Sequence, residues 1–336
     1  MSSAIVVSPS FDATWPFAAD RFHEIWRAQG AVEFKRLPAA DSRSVGEVLQ
    51  NGVRIRRLAA LNVPFTDACT KALPDLKEAV ITKIDAAVLE KLKGSGVKVY
   101  KHVSEGFWGQ SVSEFGLALT LCGLRRIPQH HHAIHTDLKP WDYDPEGGVG
   151  RPGVRGHQFG DDPRFTNGTV EGKRVRIVGA GNIASRYASF VKMLGADVAA
   201  WDPYASEPNF HRAGSRREWH LSRLVRDAEI FVPMVPLTDG TKGLVTAELI
   251  GALPKGCLVV LVTRAGICDM QALRRRVLAD ELALAADVFD IEPLPLNDPL
   301  LGRYNVVHTP HNAGRTKEAN YAWAERLAEQ FLPGVA

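Results

Sequence analysis

The sequence predicts an α/β protein, with parallel sheets covered by helices, and three observations carry that expectation. From residue 174 onward, short β-rich runs alternate with helical stretches as far as residue 309, a rhythm that favours a parallel sheet. One of those strands runs directly into a glycine-rich turn and then an apolar-periodic helix. The 336 residues are 45% hydrophobic and 24% charged, the balance of a globular chain with ample core. At about 100–200 residues per domain, this length suggests two domains.

In chain order, residues 5–7 read as a first strand and 20–29 as a helix, with Phe22, Ile25 and Trp26 at helical spacing before Gly30 ends it. Apolar runs at 55–61, 79–81 and 97–99 continue the α/β pattern, separated by segments such as 86–92 that read as helix. Residues 112–124 are an apolar helix candidate, and Pro128 restarts a histidine-rich helical stretch ending near Trp141. The chain then changes character. Seven glycines from Gly147 to Gly168, with prolines at 145, 152 and 163, predict an irregular excursion between Trp141 and Gly172, read as packing on a neighbouring domain or subunit. Six strand candidates follow at 175–178, 198–201, 230–235, 258–262, 282–286 and 306–308.

The strand at 175–178 enters Gly179-Ala180-Gly181-Asn182-Ile183-Ala184, a G-x-G-x-x-A turn that opens a helix. Gly179 permits the tight turn, Gly181 removes a Cβ from the path of a pyrophosphate, and Ala184 allows close helix–strand packing. Asp202 ends the next strand, 21 residues after Gly181, where a carboxylate accepts from ribose hydroxyls and repels a 2′-phosphate. The pattern predicts a dinucleotide site, for NAD in preference to NADP. Arg212, Arg216 and Arg217 follow and could reach a phosphate, although a solvated basic face explains them equally well.

Moving a hydride to or from a carbon bearing oxygen also needs a cation for an anionic substrate group, a proton donor and acceptor, and a group that tunes it. Arg264, Asp287 with Glu292, and His311 each lie just past a predicted strand, at the carboxyl edge where open α/β folds bind ligands. Singly, each has a structural reading: a surface cation, a turn residue before Pro293, a satisfied core histidine. Their joint placement beyond a nucleotide fold gives them functional weight.

With these motifs, and with Trp201-Asp202-Pro203-Tyr204, Val235-Pro236-Leu237-Thr238, Thr263-Arg264-Ala265-Gly266 and Thr309-Pro310-His311-Asn312-Ala313-Gly314, the chain resembles the D-isomer-specific 2-hydroxyacid dehydrogenase family from residue 112 to about residue 314. The resemblance implies a Rossmann-type NAD-binding domain, 106–315, inserted in a smaller flavodoxin-like substrate domain formed by 1–105 and 316–336, with the active site in the cleft. It implies catalytic roles for Arg264, which binds the substrate carboxylate, His311, which exchanges the proton, and Glu292, which tunes the histidine. NAD would be held by Gly179, Gly181, Asn182, Ile183, Asp202, Pro203, Val235, Pro236, Thr263, Arg264, Asp287 and His311, with Asp287 beside the nicotinamide carboxamide. The segment from His102 to Gly109 is the candidate for the substrate loop, through Ser104, Glu105 and Gly106. The partner would be a small 2-oxo or 2-hydroxy acid, and family members are commonly homodimers joined by a helical arm. The chain departs from the family at Leu261, where Asn is common, at Ala265, where Gly is common, and at Met234, where a histidine is frequent. A dinucleotide-sensing interaction protein of corepressor type on the same fold is the competing expectation. Formate-type enzymes usually pair the histidine with Gln rather than Glu.

Other classes fit less well. A formal charge of +3 supplies no strong field for nucleic acid. No basic leader precedes the first apolar run, and no apolar run reaches the roughly 18 residues of a membrane span, so a soluble protein is expected. The four cysteines are widely spaced, which suits a reducing cytoplasm. His130, His131, His132 and His135 lie close together, but no Cys or acidic cluster completes a usual ligand set, so no metal is expected and the tract reads as a solvated helix or subunit contact.

Overall fold

A computed structural model describes residues 2–49, 54–104, 106–148, 150 and 152–331. The chain divides into two compact units, Met1–Trp108 with Arg315–Ala336, and Gly109–Gly314.

The first unit is a five-stranded sheet of β1 (Ser2–Val7), β2 (Val32–Arg36), β3 (Ile55–Leu61), β4 (Glu78–Ile81) and β5 (Lys98–Tyr100), all parallel in the order β2-β1-β3-β4-β5. Side chains alternate across a strand, so β1 feeds two cores at once. Ala4 and Val6 join Val45, Leu58, Phe65 and Leu92 on one face. Ile5 and Val7 join Phe22, Trp26 and Leu61 on the other, where the helix Lys317–Ala328 returns to add Trp323 and Leu327. Strand β2 had no counterpart in the sequence reading. It is an edge strand with charged Glu33 and Lys35, paired at 2.6 Å, in place of an apolar run.

The second unit contains β6 (Arg174–Val178), β7 (Asp197–Trp201), β8 (Arg216–Arg217), β9 (Ile230–Pro233), β10 (Leu258–Leu261), β11 (Ala283–Ala286) and β12 (Val306–His308). All pair in parallel, in the order β12-β11-β10-β9-β6-β7-β8. Strands β9, β10 and β11 are buried at every position, as expected of a sheet covered on both faces. Arg216 and Arg217, read from sequence as a basic face, form the short edge strand β8.

The helix Gly109–Arg125 lies unusually close to this sheet and its neighbours. A Cβ at Gly116 would come within 3.0 Å of Met234 Cε, and one at Gly123 within 2.8 Å of the Leu258 side chain. Ala285 in β11 belongs to the same close approach: a Cβ at Gly123 would also lie 3.4 Å from Ala285 Cβ. The histidine-rich helix is shorter than expected, Ile127–Ala133, with a separate 3-10 turn at Lys139–Trp141. The described residues of the excursion beyond Trp141 form neither helix nor strand. Its far end is pinned to the unit by Asp162, which pairs with Arg126 and Arg164, and by the Thr166 N–H donating to Gly256 O at 2.8 Å. Among the described residues no helix is long and apolar enough to cross a membrane.

Candidate active site

In a parallel sheet every strand delivers its last residue to the same edge. The carboxyl ends of β6, β7, β9, β10, β11 and β12 thus bring Gly179, Asp202, Val235, Arg264, Asp287 and His311 to one side of the second unit. The strand order reverses between β6 and β9, the position at which open α/β sheets bind ligands.

Gly179 has φ +113°, and a Cβ there would meet Met234 O at 3.1 Å, so glycine is required on two counts. Gly181 caps the helix Asn182–Met193, and a Cβ there would meet no protein atom within 4 Å. That open cradle sits over a helix N-terminus, which favours negative charge, and fits a dinucleotide pyrophosphate. Ala184, one turn along, is buried. Asp202 does more than the sequence suggested. Its Oδ2 accepts from Ala180 N at 2.8 Å, and its Oδ1 accepts from Tyr204 N at 2.9 Å and Ala205 N at 3.0 Å. The carboxylate therefore ties the glycine turn to the turn after β7. Of the three nearby arginines, Arg217 lies nearest this turn, with its guanidinium 4.0 Å from the Trp219 ring centroid and 3.5 Å from Asp202 O. Arg212 bonds Asn209, and Arg216 pairs with Glu218.

Past β9, Val235 is buried and Pro236 exposed. Past β10, Thr263 is buried with its Oγ1 on Pro233 O, and the Arg264 Nη1 donates to Thr263 O at 2.7 Å. His311 and Glu292 are in contact: Nδ1 lies 2.6 Å from Glu292 Oε2. The second carboxylate oxygen, Oε1, accepts from Phe289 N at 2.7 Å, so the glutamate is held at both ends. With Nδ1 directed at Glu292, the imidazole keeps Nε2 for proton exchange. His311 has φ +54°, a backbone conformation uncommon for any residue with a Cβ.

Asp287 explains how that conformation is held. The side chain is fully buried, and its Oδ1 accepts from Thr309 Oγ1 at 2.6 Å and Asn312 N at 3.0 Å, while Oδ2 accepts from Ala313 N at 2.8 Å. The resemblance implies a place for this carboxylate beside the nicotinamide carboxamide; its hydrogen bonds go to the loop on both sides of His311. Thr309, to which the sequence assigned no role, completes the clamp, and its signal was its place directly before Pro310-His311.

The proposed substrate loop belongs to the first unit. Gly106 is buried and its N–H is turned back onto Ser104 Oγ at 3.3 Å; Glu105 lies outside the described residues. Phe107 and Trp108 pack on Trp15, at 5.5 and 5.7 Å between centroids. In the histidine tract the His131 and His135 rings lie 4.8 Å apart, and His130 packs against Gly160. Among the described residues no three His, Cys, Asp or Glu groups are placed to hold a metal together.

Comparison with known proteins identifies the family. Residues 150–313 match the model of the D-isomer specific 2-hydroxyacid dehydrogenase NAD binding domain. A glyoxylate reductase of Thermofilum pendens is 31% identical over 244 residues, covering 70% of this chain and 64% of its own. A hydroxypyruvate reductase of Thermotoga maritima is 26% identical over 299 residues, covering 85% and 89%. The chain spans only 38% of the length of the D-3-phosphoglycerate dehydrogenase of Methanocaldococcus jannaschii, to which it is 29% identical over 222 residues, or 66% of this chain. In fold, it matches the NAD-complexed D-isomer specific 2-hydroxyacid dehydrogenase of Lactobacillus delbrueckii with a TM-score of 0.70 at 16% identity, over 97% of this chain and 95% of that one. The chain belongs to the D-isomer specific 2-hydroxyacid dehydrogenase family, and its second unit carries that family's NAD binding domain.

Proposed function

We propose that the protein is an NAD-dependent oxidoreductase that interconverts a (2R)-hydroxy acid and its 2-oxo acid, with Arg264, Glu292 and His311 as its catalytic residues. The observation that carries this reading is the 2.6 Å contact between His311 and Glu292, on the same sheet edge as the glycine turn. Bound NADH supplies the hydride that adds to C2 of the oxo acid. In that direction His311 gives the proton on Nε2 to the oxygen that becomes a hydroxyl. In the reverse direction the neutral ring takes that proton back. Glu292 fixes the tautomer and the orientation of the ring through its contact with Nδ1. Arg264 takes the substrate carboxylate in a two-pronged contact and polarises the adjacent carbonyl.

In this reading Gly179, Gly181, Asn182 and Ile183 receive the pyrophosphate, Asp202 and Pro203 the adenosine ribose, and Val235, Pro236 and Thr263 the nicotinamide half. The substrate domain is the first unit, and Ser104, Glu105 and Gly106 remain its candidate carboxylate loop. A second copy of the chain is the proposed partner. Ile127, Ile134, Leu138, Trp141, Tyr143 and Phe159 are all exposed within one stretch, and apolar groups gathered in this way mark interaction surfaces. Four free thiols, three of them buried, support a reducing cytoplasm as the place of work.

The test is NADH consumption with glyoxylate, hydroxypyruvate, pyruvate and 3-phosphohydroxypyruvate, followed by kcat/KM against pH in both directions for the wild type and Glu292→Gln. Saturable turnover is expected. In the variant, kcat/KM should fall in both directions, because the ring loses the carboxylate that holds Nδ1. Tight NADH binding without turnover on any acid would point to a sensing protein instead.

A further inference from the structure

The His311–Glu292 contact depends on where the loop after β11 holds Glu292, and that loop has little apolar anchorage. Ile291 and Leu296 are exposed, and among its described residues between 290 and 298 only Leu294 packs on the core. One cation grips both ends. Arg274, on the helix Met270–Leu278, donates from Nε to both Asp290 carboxylate oxygens at 3.0 and 3.1 Å and from Nη2 to Asp290 Oδ1 at 2.8 Å. Its Nη1 reaches the Asp298 oxygens at 3.1 and 3.0 Å. The Arg274 and Asp298 side chains are 15% and 6% exposed, so this end of the clamp is shielded from water and weakly screened.

We propose that Arg274 is a positioning residue for the Glu292–His311 pair. It closes residues 290–298 into a loop tied at both ends, and thereby sets the carboxylate that orients the imidazole. A planar fork with five donors can serve two carboxylates in fixed directions, whereas an ammonium at the same place supplies a point charge. Two carboxylates bear on His311 and its loop: Glu292, in direct contact, and Asp287, through the Asn312 and Ala313 N–H groups. Arg274 reaches neither and acts through Asp290 and Asp298. The catalytic part of this inference rests on the dehydrogenase reading; the geometric part does not.

The test therefore has two arms. In NADH-free protein labelled with ¹⁵N-histidine, the Nδ1–H of His311 should give a downfield proton signal, identified by its absence in His311→Gln. Arg274→Gln should move or broaden it, and Asp290→Asn, which leaves Asp298 paired, should do so more weakly. In turnover, Arg274→Gln should lower kcat by about ten- to a hundredfold, the scale of a small misplacement of a catalytic group, with little change in NADH affinity. Arg274→Lys should recover only part of that. In a Glu292→Gln background, the Arg274→Gln change should cost less than about twofold, since the two act on one contact. If Arg274→Gln does not fold, Asp290→Asn decides. An unmoved His311 signal in a folded variant, or a full additional loss in the Glu292→Gln background, overturns the proposal. A signal that responds to Arg274 in a protein that reduces no 2-oxo acid would keep the positioning role and remove the dehydrogenase reading.

Discussion

Replacing Asp287 by asparagine keeps the shape of the side chain and changes only which atoms can accept. Three donors converge on the carboxylate: Thr309 Oγ1 and Asn312 N on one oxygen, Ala313 N on the other. In one orientation of the amide, its NH₂ faces the Ala313 N–H. In the other it faces the Asn312 N–H, while the Thr309 hydroxyl can turn to accept. Either way one backbone N–H loses its partner next to a fully buried group. A bond to a charged acceptor contributes about 1.5–3 kcal/mol, and an unsatisfied buried donor costs about 1–3 kcal/mol more. Removing a buried charge offsets part of this. A net loss of about 2–3 kcal/mol is expected, or roughly 4–12 °C in Tm for a unit of this size.

The same change reaches chemistry through the backbone of His311. Its φ of +54° costs about 1–3 kcal/mol and persists because the loop on both sides is clamped. Relaxation of that residue should lower kcat by about ten- to a hundredfold, at 1.36 kcal/mol per factor of ten. The assays are thermal melting, NADH titration by fluorescence, and single-turnover reduction of the best 2-oxo acid. A variant that melts within about 1 °C of wild type, turns over normally and binds NADH far more weakly would refute the clamp and leave Asp287 a cofactor contact alone.

Three further outcomes are expected. Arg264→Lys should lose about 10²-fold or more in kcat/KM with NADH affinity nearly unchanged, since only the guanidinium offers a fork to a carboxylate; near-normal turnover would move the carboxylate site elsewhere. Asp202→Ala should narrow the preference for NADH over NADPH and also weaken NADH itself by about tenfold, because three backbone donors lose a charged acceptor; unchanged NADH affinity would leave only the ribose role. Burial, with the Arg326 cation behind it, pushes the His102 imidazole down to about 4, below the roughly 6.5 of an unfolded chain. The unfolded state therefore takes the proton first, and stability is lost as pH falls from about 6.5 toward 4. His102→Gln should flatten the drop in Tm across that window, and an equal drop in the variant would assign it to other groups.

The parts of the chain that could be read from sequence are those where one physical signal dominates. Strands β9 and β10 are buried at every position, and their apolar runs stand out without context. The glycine turn was legible because Gly179 answers to a positive φ and to the close approach of Met234 O, which few other residues satisfy. Strand β2 was not, because an edge strand carrying Glu33 and Lys35 buries too little to show a period. The end of the histidine-rich helix was missed because no strong breaker marks it before Pro140. The roles of Asp287 and Arg274 were invisible for a different reason: each acts on a segment brought to it only by the parallel crossovers of the sheet, Asp287 on the loop after β12 and Arg274 on the loop after β11.

The glycines under the helix Gly109–Arg125 have a mechanical consequence. Gly109, Gly116 and Gly123 are spaced by seven residues, and a Cβ at any of them would meet the side chain of Asn182, Met234 or Leu258 at 2.8–3.0 Å, so this face of the helix has little room to shift. Its first turns also hold both halves of the site: Ser113 Oγ reaches Ile183 O at 3.0 Å in the dinucleotide turn, and Ser111 Oγ donates to Ala313 O beside the His311 loop. The start of the helix is thus tied to both loops at once. Under the proposed mechanism, a shift of the glycine turn would reach the loop of His311 through this one element, so the seating of the cofactor and the placement of the histidine are coupled.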